Sequence, residues 1–293
     1  MTNLAAAIIL AIPESAVGMS VASKPNIDAY FERIGFSGSI APTLETLVQL
    51  HALHPAAIPY ENLDPLLGRP VRLDLANLQQ KLLFDRRGGY CFEHNTLFRA
   101  MLRDLDFEVK THAARVLWGT PPDVEPPLRH MVLTVDVAGA SYLCDVGFGG
   151  QTATAPLRMR REAEQQTPHD TYRLMEVDGT WTVELQIDAA WHPLYSFELT
   201  ERDDAFIAEL NDKSDSSAFF TENLLAARSE KGRRLALWNV RLNTHTPGEP
   251  SEGRLLGSVA ELREVLSGPM GLNLPADERL DAALQKIVDR GPD

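Results

Sequence analysis

The sequence predicts an α+β fold made of three successive units, because its pattern changes character twice along the chain. Up to about residue 105, apolar residues recur at helical spacing. From residue 111 to 199 the period falls toward two, as in RHMVLTVDV and WTVELQI, which indicates a sheet or barrel. The last third mixes strand and helix patterns. With 293 residues and 44% hydrophobic content, the chain can bury the cores that these units need.

The first unit, predicted over residues 26–110, is mostly helical. In TLETLVQLHALH the leucines return every three or four positions, and a second helical pattern follows Asp74. A third runs through Leu97, Met101 and Leu105, an i, i+4, i+8 stripe typical of a helix face that packs on a core.

The second unit, predicted over residues 111–205, contains short alternating strands. Asp178 and Gly179 between two of them indicate a hairpin turn. The third unit, over residues 206–293, begins with a polar, serine-rich loop at 212–217. A strand, LALWNVRL, and two helices, VAELREVL and ERLDAALQKIV, are expected to follow.

Residues 1–25 are predicted to form an N-terminal extension. Its apolar run ends near Ile12, has no Lys or Arg before it, and is too short to span a bilayer. We expect a helical or frayed segment, with a signal peptide or a misassigned start before Met19 as alternatives. No later stretch is apolar enough to predict a membrane span.

Composition excludes several classes of function. A formal net charge of -13 opposes binding to nucleic acids. Two cysteines, Cys91 and Cys144, are too few for a disulfide framework, and no CxxC pair indicates a zinc site. We therefore expect no bound metal, no nucleic-acid or membrane partner, and a reducing, cytoplasmic setting.

Cys91 is the first candidate for chemistry, because it follows Gly88 and Gly89 where a helix is predicted to begin. The free amides and the dipole of a helix N-terminus favour an anion, and so favour the thiolate form. The two glycines allow another group to approach the backbone closely. The alternative is an inert, buried cysteine, which is the commoner case for free thiols.

A thiolate nucleophile needs a base and a group that orients the base, and His130 and Asp145 fit these roles. His130 opens one predicted strand and Asp145 closes the next, with a short turn between them. Antiparallel pairing can make them neighbours. Taken singly, His130 could be a surface histidine and Asp145 a turn cap. Cys144, beside Asp145, is expected to face the opposite side of the strand and pack.

The remaining histidines of the first unit are predicted to be structural. His51 and His54 have the i, i+3 spacing of some metal ligands, but no third ligand is apparent. His94 lies one turn into the helix that follows Cys91.

Five segments together resemble the arylamine N-acetyltransferase family. They are IPYENLD at 58–64, RRGGYCFEHN at 86–95, RHMVL at 129–133, CDVGFGG at 144–150 and the C-terminal LALWNVRLNTH. The resemblance runs in order from about Asn26 onward and covers roughly nine-tenths of the chain. Its most specific motif is RGGYCFE.

The resemblance implies a helical bundle carrying the cysteine, a β-barrel carrying the histidine and aspartate, and an α/β lid. Cys91, His130 and Asp145 would form a catalytic triad arranged as in papain-like proteases. Residues expected by the same resemblance to bind the acyl donor or acceptor are Trp118, Gly147, Phe148, Gly149 and Phe220, although Phe219 competes with Phe220 for that place.

The implied activity is ping-pong acetyl transfer from acetyl-CoA, as a co-substrate, to a small aromatic amine or hydrazine. No tightly bound cofactor is expected, a homodimer is left open, and the biological role would be the metabolism of foreign amines. Three alternatives use the same residues differently: a cysteine hydrolase or transglutaminase-like enzyme, an amide synthase that takes its acyl group from a carrier, and a binding protein with a relict site.

Overall fold

The computed structural model of the chain describes residues 24–121 and 123–292. Most of the predicted N-terminal extension, residues 1–23, lies outside the described residues. Within the described ranges, no helix has the length and apolar character needed to cross a membrane.

The first part of the chain is helical, as predicted. Its helices are α1 (Ile27–Ile34), α2 (Leu44–Ala57), α3 (Leu63–Leu66), α4 (Leu75–Gln79) and α5 (Cys91–Asp104), with the two-residue strand β1 (Tyr60–Glu61) between α2 and α3. A π-helical turn, Gln80–Phe84, continues α4. The side chains of Asn26, Thr43 and Asp74 accept hydrogen bonds from backbone amides in the first turns of α1, α2 and α4.

The middle of the chain forms an eight-stranded antiparallel sheet. Its strands are β2 (Glu108–Val116), β3 (Leu128–Val137), β4 (Ala140–Cys144), β5 (Leu157–Arg158), β6 (Gln165–Gln166), β7 (Thr171–Val177), β8 (Thr180–Ile187) and β9 (Ala190–Glu198). They lie in the order β5-β4-β3-β2-β9-β8-β7-β6. The Gln165 side chain hydrogen-bonds both the N–H and the C=O of Arg158 on the opposite edge. The sheet is thereby nearly closed into a barrel.

The predicted hairpin turn between β7 and β8 is confirmed. Asp178 and Gly179 have φ values of 50° and 86°, the left-handed pair that a tight two-residue hairpin requires.

The last part contains α6 (Asp204–Asp215), α7 (Ala218–Glu222), β10 (Leu225–Glu230), β11 (Arg233–Trp238), β12 (Arg241–His245), β13 (Glu252–Leu255), α8 (Val259–Ser267) and α9 (Leu280–Arg290). Strands β10 to β13 form an antiparallel sheet with β1 at one edge, in the order β1-β10-β11-β12-β13. The two predicted C-terminal helices are confirmed as α8 and α9.

Two predictions for this part are wrong. The serine-rich segment 212–217 is not a loop throughout, because α6 continues to Asp215; Asp203 caps that helix and Ile207 and Leu210 bury its apolar face. LALWNVRL is not one strand. It contains the end of β11, a turn at Asn239, which has a φ of 51°, and the start of β12. The polar residues at the end of α6 concealed the helix. The lack of a glycine in the turn concealed the hairpin.

Buried apolar residues form three clusters. One joins the helices of the first part to residues of β2 and β3, a second lies between the C-terminal sheet and α8 and α9, and a third fills the barrel. Leu63 belongs to the C-terminal cluster, and β1 pairs with β10, so the first and last parts of the chain share a sheet and a core. The domain boundaries at residues 110 and 205 stay predictions.

Candidate active site

Cys91 is the first residue of α5, as predicted. The N–H of Tyr90 donates to Glu93 Oε2 at 3.0 Å, which satisfies one amide at the helix start. Both preceding glycines are required by close contacts. A Cβ on Gly88 would lie 2.1 Å from the carbonyl oxygen of Pro59, and one on Gly89 would lie 2.7 Å from Glu93 Oε2. The α5 N-terminus is therefore tightly packed against the segment before β1.

His130 and Asp145 meet although the strand pairing stops just short of them. The last paired residues are Leu133 and Cys144, and Asp145 follows β4 directly. His130 Nε2 lies 2.7 Å from Asp145 Oδ2. Cys91 is near enough to the His130 ring to help raise its pKa. Because Asp145 occupies Nε2, Nδ1 is the ring nitrogen left for the thiol. The structure thus brings the three predicted residues together from α5, β3 and the end of β4.

This cluster, Cys91–His130–Asp145, is buried, with 4%, 2% and 3% of the respective residues exposed. Burial alone would lower the pKa of His130, but the charge and hydrogen bond of Asp145, together with Cys91, raise it to about 10. Burial likewise opposes ionisation of Asp145. The neighbouring His130 charge and the hydrogen bonds from His130, Asn95 and the Gly147 amide outweigh it and hold the pKa of Asp145 below its usual value. Histidine is therefore kept charged and aspartate ionised.

Asn95, which the sequence analysis missed, anchors the carboxylate to the cysteine helix. Its Nδ2 donates to Asp145 Oδ1 at 2.9 Å and to the carbonyl of Met131 at 2.8 Å, and its Oδ1 accepts from the Val146 N–H at 3.1 Å. Asn95 is four residues after Cys91, so both side chains project from the same face of α5. That spacing was the signal that could have found it.

Two further residues lie close to Asp145. The Asp145 N–H donates to His51 Nε2 at 3.2 Å. The centroid of the Tyr195 ring lies 5.1 Å from that of His130, and burial and then the Asp145 charge raise the pKa of the Tyr195 hydroxyl. His51 therefore contacts the cluster, which its spacing with His54 did not indicate. In the described residues, no group of three or more His, Cys, Asp or Glu side chains could hold a metal ion.

Residues 147–149 pass directly over the start of α5. A Cβ on Gly147 would lie 2.9 Å from the Cα of Cys91, so only glycine fits there without displacement. The Phe148 ring packs edge-on against His130, with centroids 5.1 Å apart. Gly149 has a φ of 68° and lies against the Tyr60 ring. These three predicted positions border the cluster.

Comparisons with known proteins identify the family of this chain. Residues 43–279 match the family model described as N-acetyltransferase. The chain is 40% identical over 271 residues to the arylamine N-acetyltransferase of Mycobacterium tuberculosis, covering 90% of this chain and 95% of the relative. The chain belongs to the arylamine N-acetyltransferase family. An arylamine N-acetyltransferase / N-hydroxyarylamine O-acetyltransferase of Salmonella typhimurium is 39% identical over 251 residues, covering 85% of this chain and 89% of the relative.

Solved structures of the same family have the same fold. The structure of Mycobacterium marinum arylamine N-acetyltransferase in complex with CoA superposes with a TM-score of 0.86 at 35% identity, covering 89% of this chain and 99% of that one. The mixed helix and sheet architecture with a nearly closed barrel is therefore that of known arylamine N-acetyltransferases.

Two positions implied by the family resemblance have contacts outside the Cys91–His130–Asp145 cluster. Trp118 is 38% exposed and its ring meets His192 edge-on at 6.2 Å. Phe220 is buried and packs edge-on against Tyr90 at 5.1 Å, whereas Phe219 beside it is 38% exposed. Of the two phenylalanines of α7, Phe219 is thus the more exposed to solvent.

Behind the α5 N-terminus lies an ionic network of five residues: Glu61, Asp64, Lys81, Arg87 and Glu93. Lys81 Nζ contacts Asp64 Oδ2 at 2.6 Å and Glu93 Oε1 at 2.7 Å. Arg87 contacts Glu61 at 2.7 Å and Asp64 at 3.2 Å. The network joins two of the resembling segments, IPYENLD and RRGGYCFEHN, and fixes the helix that begins at Cys91.

The predicted structural roles of His54 and His94 fit a buried hydrogen-bond chain. His94 Nε2 lies 3.2 Å from the Pro59 carbonyl, which can only accept, so His94 Nδ1 accepts from His54 Nε2 at 2.9 Å. His54 Nδ1 in turn accepts from the Tyr30 hydroxyl at 2.9 Å. Each histidine is neutral in this chain, and burial lowers the pKa of His94 to about 4. These hydrogen bonds connect α1 and α2 to α5.

Proposed function

We propose that this protein transfers the acetyl group of acetyl-CoA to small arylamines or hydrazines through an acetyl-Cys91 intermediate. The observation that carries the proposal is the buried His130 ring, which is hydrogen-bonded through Nε2 to Asp145 and lies near enough to Cys91 for the thiol to help raise its pKa. A nucleophile, a base and an orienting carboxylate in this order are what acyl transfer through a thiol requires. Membership of the arylamine N-acetyltransferase family supports acetyl-CoA as the acetyl donor and an amine as the acceptor.

In the first half-reaction, Cys91 acts as a thiolate beside a protonated His130. Its sulfur attacks the carbonyl carbon of the thioester, and backbone amides at the start of α5 stabilise the negative oxygen. When the intermediate collapses, the carbon–sulfur bond to CoA breaks and the His130 proton passes to the CoA sulfur. The products are acetyl-Cys91, CoA thiol and neutral His130.

In the second half-reaction, the amine nitrogen attacks the acetyl carbon and His130 takes a proton from that nitrogen. The bond between the acetyl carbon and Cys91 then breaks, which releases the amide and restores the thiolate–imidazolium pair. Asp145 keeps the His130 ring in one orientation through both steps. This scheme predicts ping-pong kinetics and needs no tightly bound cofactor.

We place the two substrates along the segment that covers α5. Gly147 packs closely against the backbone of Cys91, Phe148 packs on His130, and Gly149 lies against the Tyr60 ring. Trp118 and Phe220 complete the proposed set on the family resemblance, with Phe219 next to Phe220 as the more exposed ring. A CoA complex of the Mycobacterium marinum relative supports donor binding to this fold.

Mass spectrometry after brief exposure to acetyl-CoA without amine tests the proposal. One acetyl group is expected on Cys91, lost when an aromatic amine is added and regained with more acetyl-CoA. Cys144→Ala serves as the matched control, because burial and then Asp145 raise the pKa of the Cys144 thiol well above its usual value. Cys144→Ala should still be acetylated and Cys91→Ala should not. Acetylation of Cys91→Ala, or an acetyl group that leaves equally fast to water, would overturn the proposal.

A further inference from the structure

Arg129 occupies a β-bulge next to His130. In the pairing of β2 with β3, Ala114 is opposite His130 and Arg115 is opposite Leu128, so Arg129 is the extra residue of β3. A bulge breaks strict alternation and re-aims the side chain of the inserted residue. The strand that presents His130 therefore also directs an arginine away from its regular position.

The Arg129 guanidinium lies over the Phe219 ring, 5.4 Å from its centroid. Phe219 in turn packs against Trp238 at 5.5 Å. Phe219 also packs edge-on against Phe220 at 4.9 Å, and Phe220 packs against Tyr90, the residue directly before Cys91. The bulge thus places a cation beside two partly exposed rings that are linked by ring contacts to the start of α5.

This cation has no carboxylate partner. In residues 24–121 and 123–292, no Asp or Glu oxygen lies within 4.0 Å of the Arg129 guanidinium, while Arg115, on the adjacent strand β2 at the same bulge, pairs with Glu125 at 3.1 Å. The protein has a net charge of -13, which repels anions from most of its surface. A substrate that carries a negative group needs a local cation to approach Cys91.

We propose that Arg129 binds an acidic substituent on the aromatic ring of the acceptor and so makes this protein selective for anionic arylamines. The inference rests on the proposed function. In such an acceptor the acid lies one ring away from the nucleophilic amine, which suits a guanidinium next to His130. The phosphates of CoA are separated from the thioester by the whole pantetheine arm and suit a more distant contact. Phe219 holds the guanidinium in place and offers a face to the ring.

A matched pair of acceptors tests the proposal: 4-aminobenzoate and its methyl ester, which differ in charge but share the ring and the amine. The wild-type protein is expected to have the higher kcat/KM for the acid. Arg129→Met should reduce kcat/KM for the acid about tenfold or more, the value of a charge-assisted hydrogen bond, and leave the ester within about twofold. Arg129→Lys should restore part of the preference, and added salt should weaken it.

Two controls separate this role from others. Arg254→Met removes one positive charge from exposed β13 and should change neither acceptor. The apparent KM for acetyl-CoA, measured with the ester, should not change in Arg129→Met. An equal loss with both acceptors would overturn the proposal in favour of a structural role, and a raised KM for acetyl-CoA would assign Arg129 to a phosphate. A wild-type protein that acetylates the ester without preferring the acid refutes the selectivity alone, whereas one that acetylates neither refutes the proposed function.

Discussion

Asn95 Nδ2 donates a hydrogen bond to Asp145 Oδ1 over 2.9 Å, and this bond ties the carboxylate beside His130 to the helix that begins with Cys91. The helix that carries Cys91 therefore also holds the carboxylate that hydrogen-bonds His130. Replacing Asn95 should disturb the cluster without removing any of its three members.

Asn95→Ala is expected to destabilise the protein by about 1–3 kcal/mol, because the buried Val146 N–H loses its acceptor and Asp145 Oδ1 keeps only the Gly147 amide as a donor. Urea unfolding measures this loss, and a rapid-quench assay of CoA release should show slower acetylation of Cys91. Asn243→Ala, an exposed site on β12, is the control and should change neither quantity. Unchanged acetylation in Asn95→Ala would mean that Asp145 is positioned without α5.

Asp145→Asn should reduce acetyl transfer by several orders of magnitude, on the order of 10⁴ if the tautomer argument for serine proteases applies. Without the carboxylate, burial dominates and the pKa of His130 falls from about 10 to below its ordinary value. The thiolate–imidazolium pair of the wild type should persist until pH rises toward 10. NMR titration of the His130 ring should show it protonated at neutral pH in the wild type and neutral in the variant. Identical titration curves would contradict the role of Asp145 in keeping His130 charged.

Gly147→Ala should slow acetylation about tenfold or more, because its Cβ would lie 2.9 Å from the backbone of Cys91 and must displace the start of α5. Gly257→Ala is the matched control. A Cβ there meets Glu261 Oε2 at an ordinary 3.5 Å. Single-turnover kinetics with acetyl-CoA distinguish the two variants, and equal rates would show that the contact can relax freely.

Lys81→Met should cost about 3–5 kcal/mol of stability, since it leaves the buried carboxylate of Glu93 without its cation, whereas the half-buried Asp64 keeps Arg87. Adding Glu93→Gln to this variant should recover part of the loss, because the amide oxygen still accepts from the Tyr90 N–H. Lys110→Met breaks an exposed pair with Asp136 and should have no measurable effect in the same urea titrations. Equal losses of stability in Lys81→Met and Lys110→Met would contradict the prediction that the buried ion pair contributes more than the exposed one.

Stability should fall as pH drops from about 6.5 to 4. Burial lowers the pKa of His51 and His94 to about 4, so the unfolded chain binds protons in this window while the folded chain does not. Across this window, each such histidine lowers the free energy of unfolding by on the order of 3 kcal/mol. His130 has a raised pKa, so its contribution is complete below 6.5 and is lost only toward pH 10. Asp145 has a lowered pKa, so its contribution is lost only below its usual range.

Urea unfolding at several pH values between 7 and 4 measures this effect. His51→Gln should flatten the dependence, since glutamine does not titrate. His192→Gln, which replaces a ring that packs only beside Trp118 among the contacts described, is the control and should leave the slope unchanged. A wild-type stability that stays constant across the window would contradict the neutral state of the buried histidines.

Sequence patterns were sufficient where a local rule decides the structure. The helical stripe after Cys91 predicted α5 and its start, and Asp178-Gly179 predicted the β7–β8 turn, because each depends on residues close in the chain. The meeting of Cys91, His130 and Asp145 was predicted from chemistry, since a thiolate needs those partners. Their roles stay a proposal.

Long-range contacts were beyond such rules. The pairing of Tyr60 with Ala227 joins residues far apart in the chain, and no local pattern specifies it. Arg129 was also missed, because a bulge depends on both strands and the alternation of β3 continues around it. The turn at Asn239 was missed as well, because the sequence gives little indication of a left-handed backbone at a residue other than glycine.

Strand β1 has a consequence for how this chain can be divided. Tyr60 and Glu61 supply the outer strand of the C-terminal sheet, and Leu63 lies in the core beneath it. A fragment cut near residue 205 would leave β1 with unsatisfied amides and carbonyls and would expose Leu63 to water. We therefore expect that neither half reaches its native structure without the other. Helix α7 with Phe219, strand β11 with Trp238 and helix α5 with Cys91 should then fold in one cooperative step.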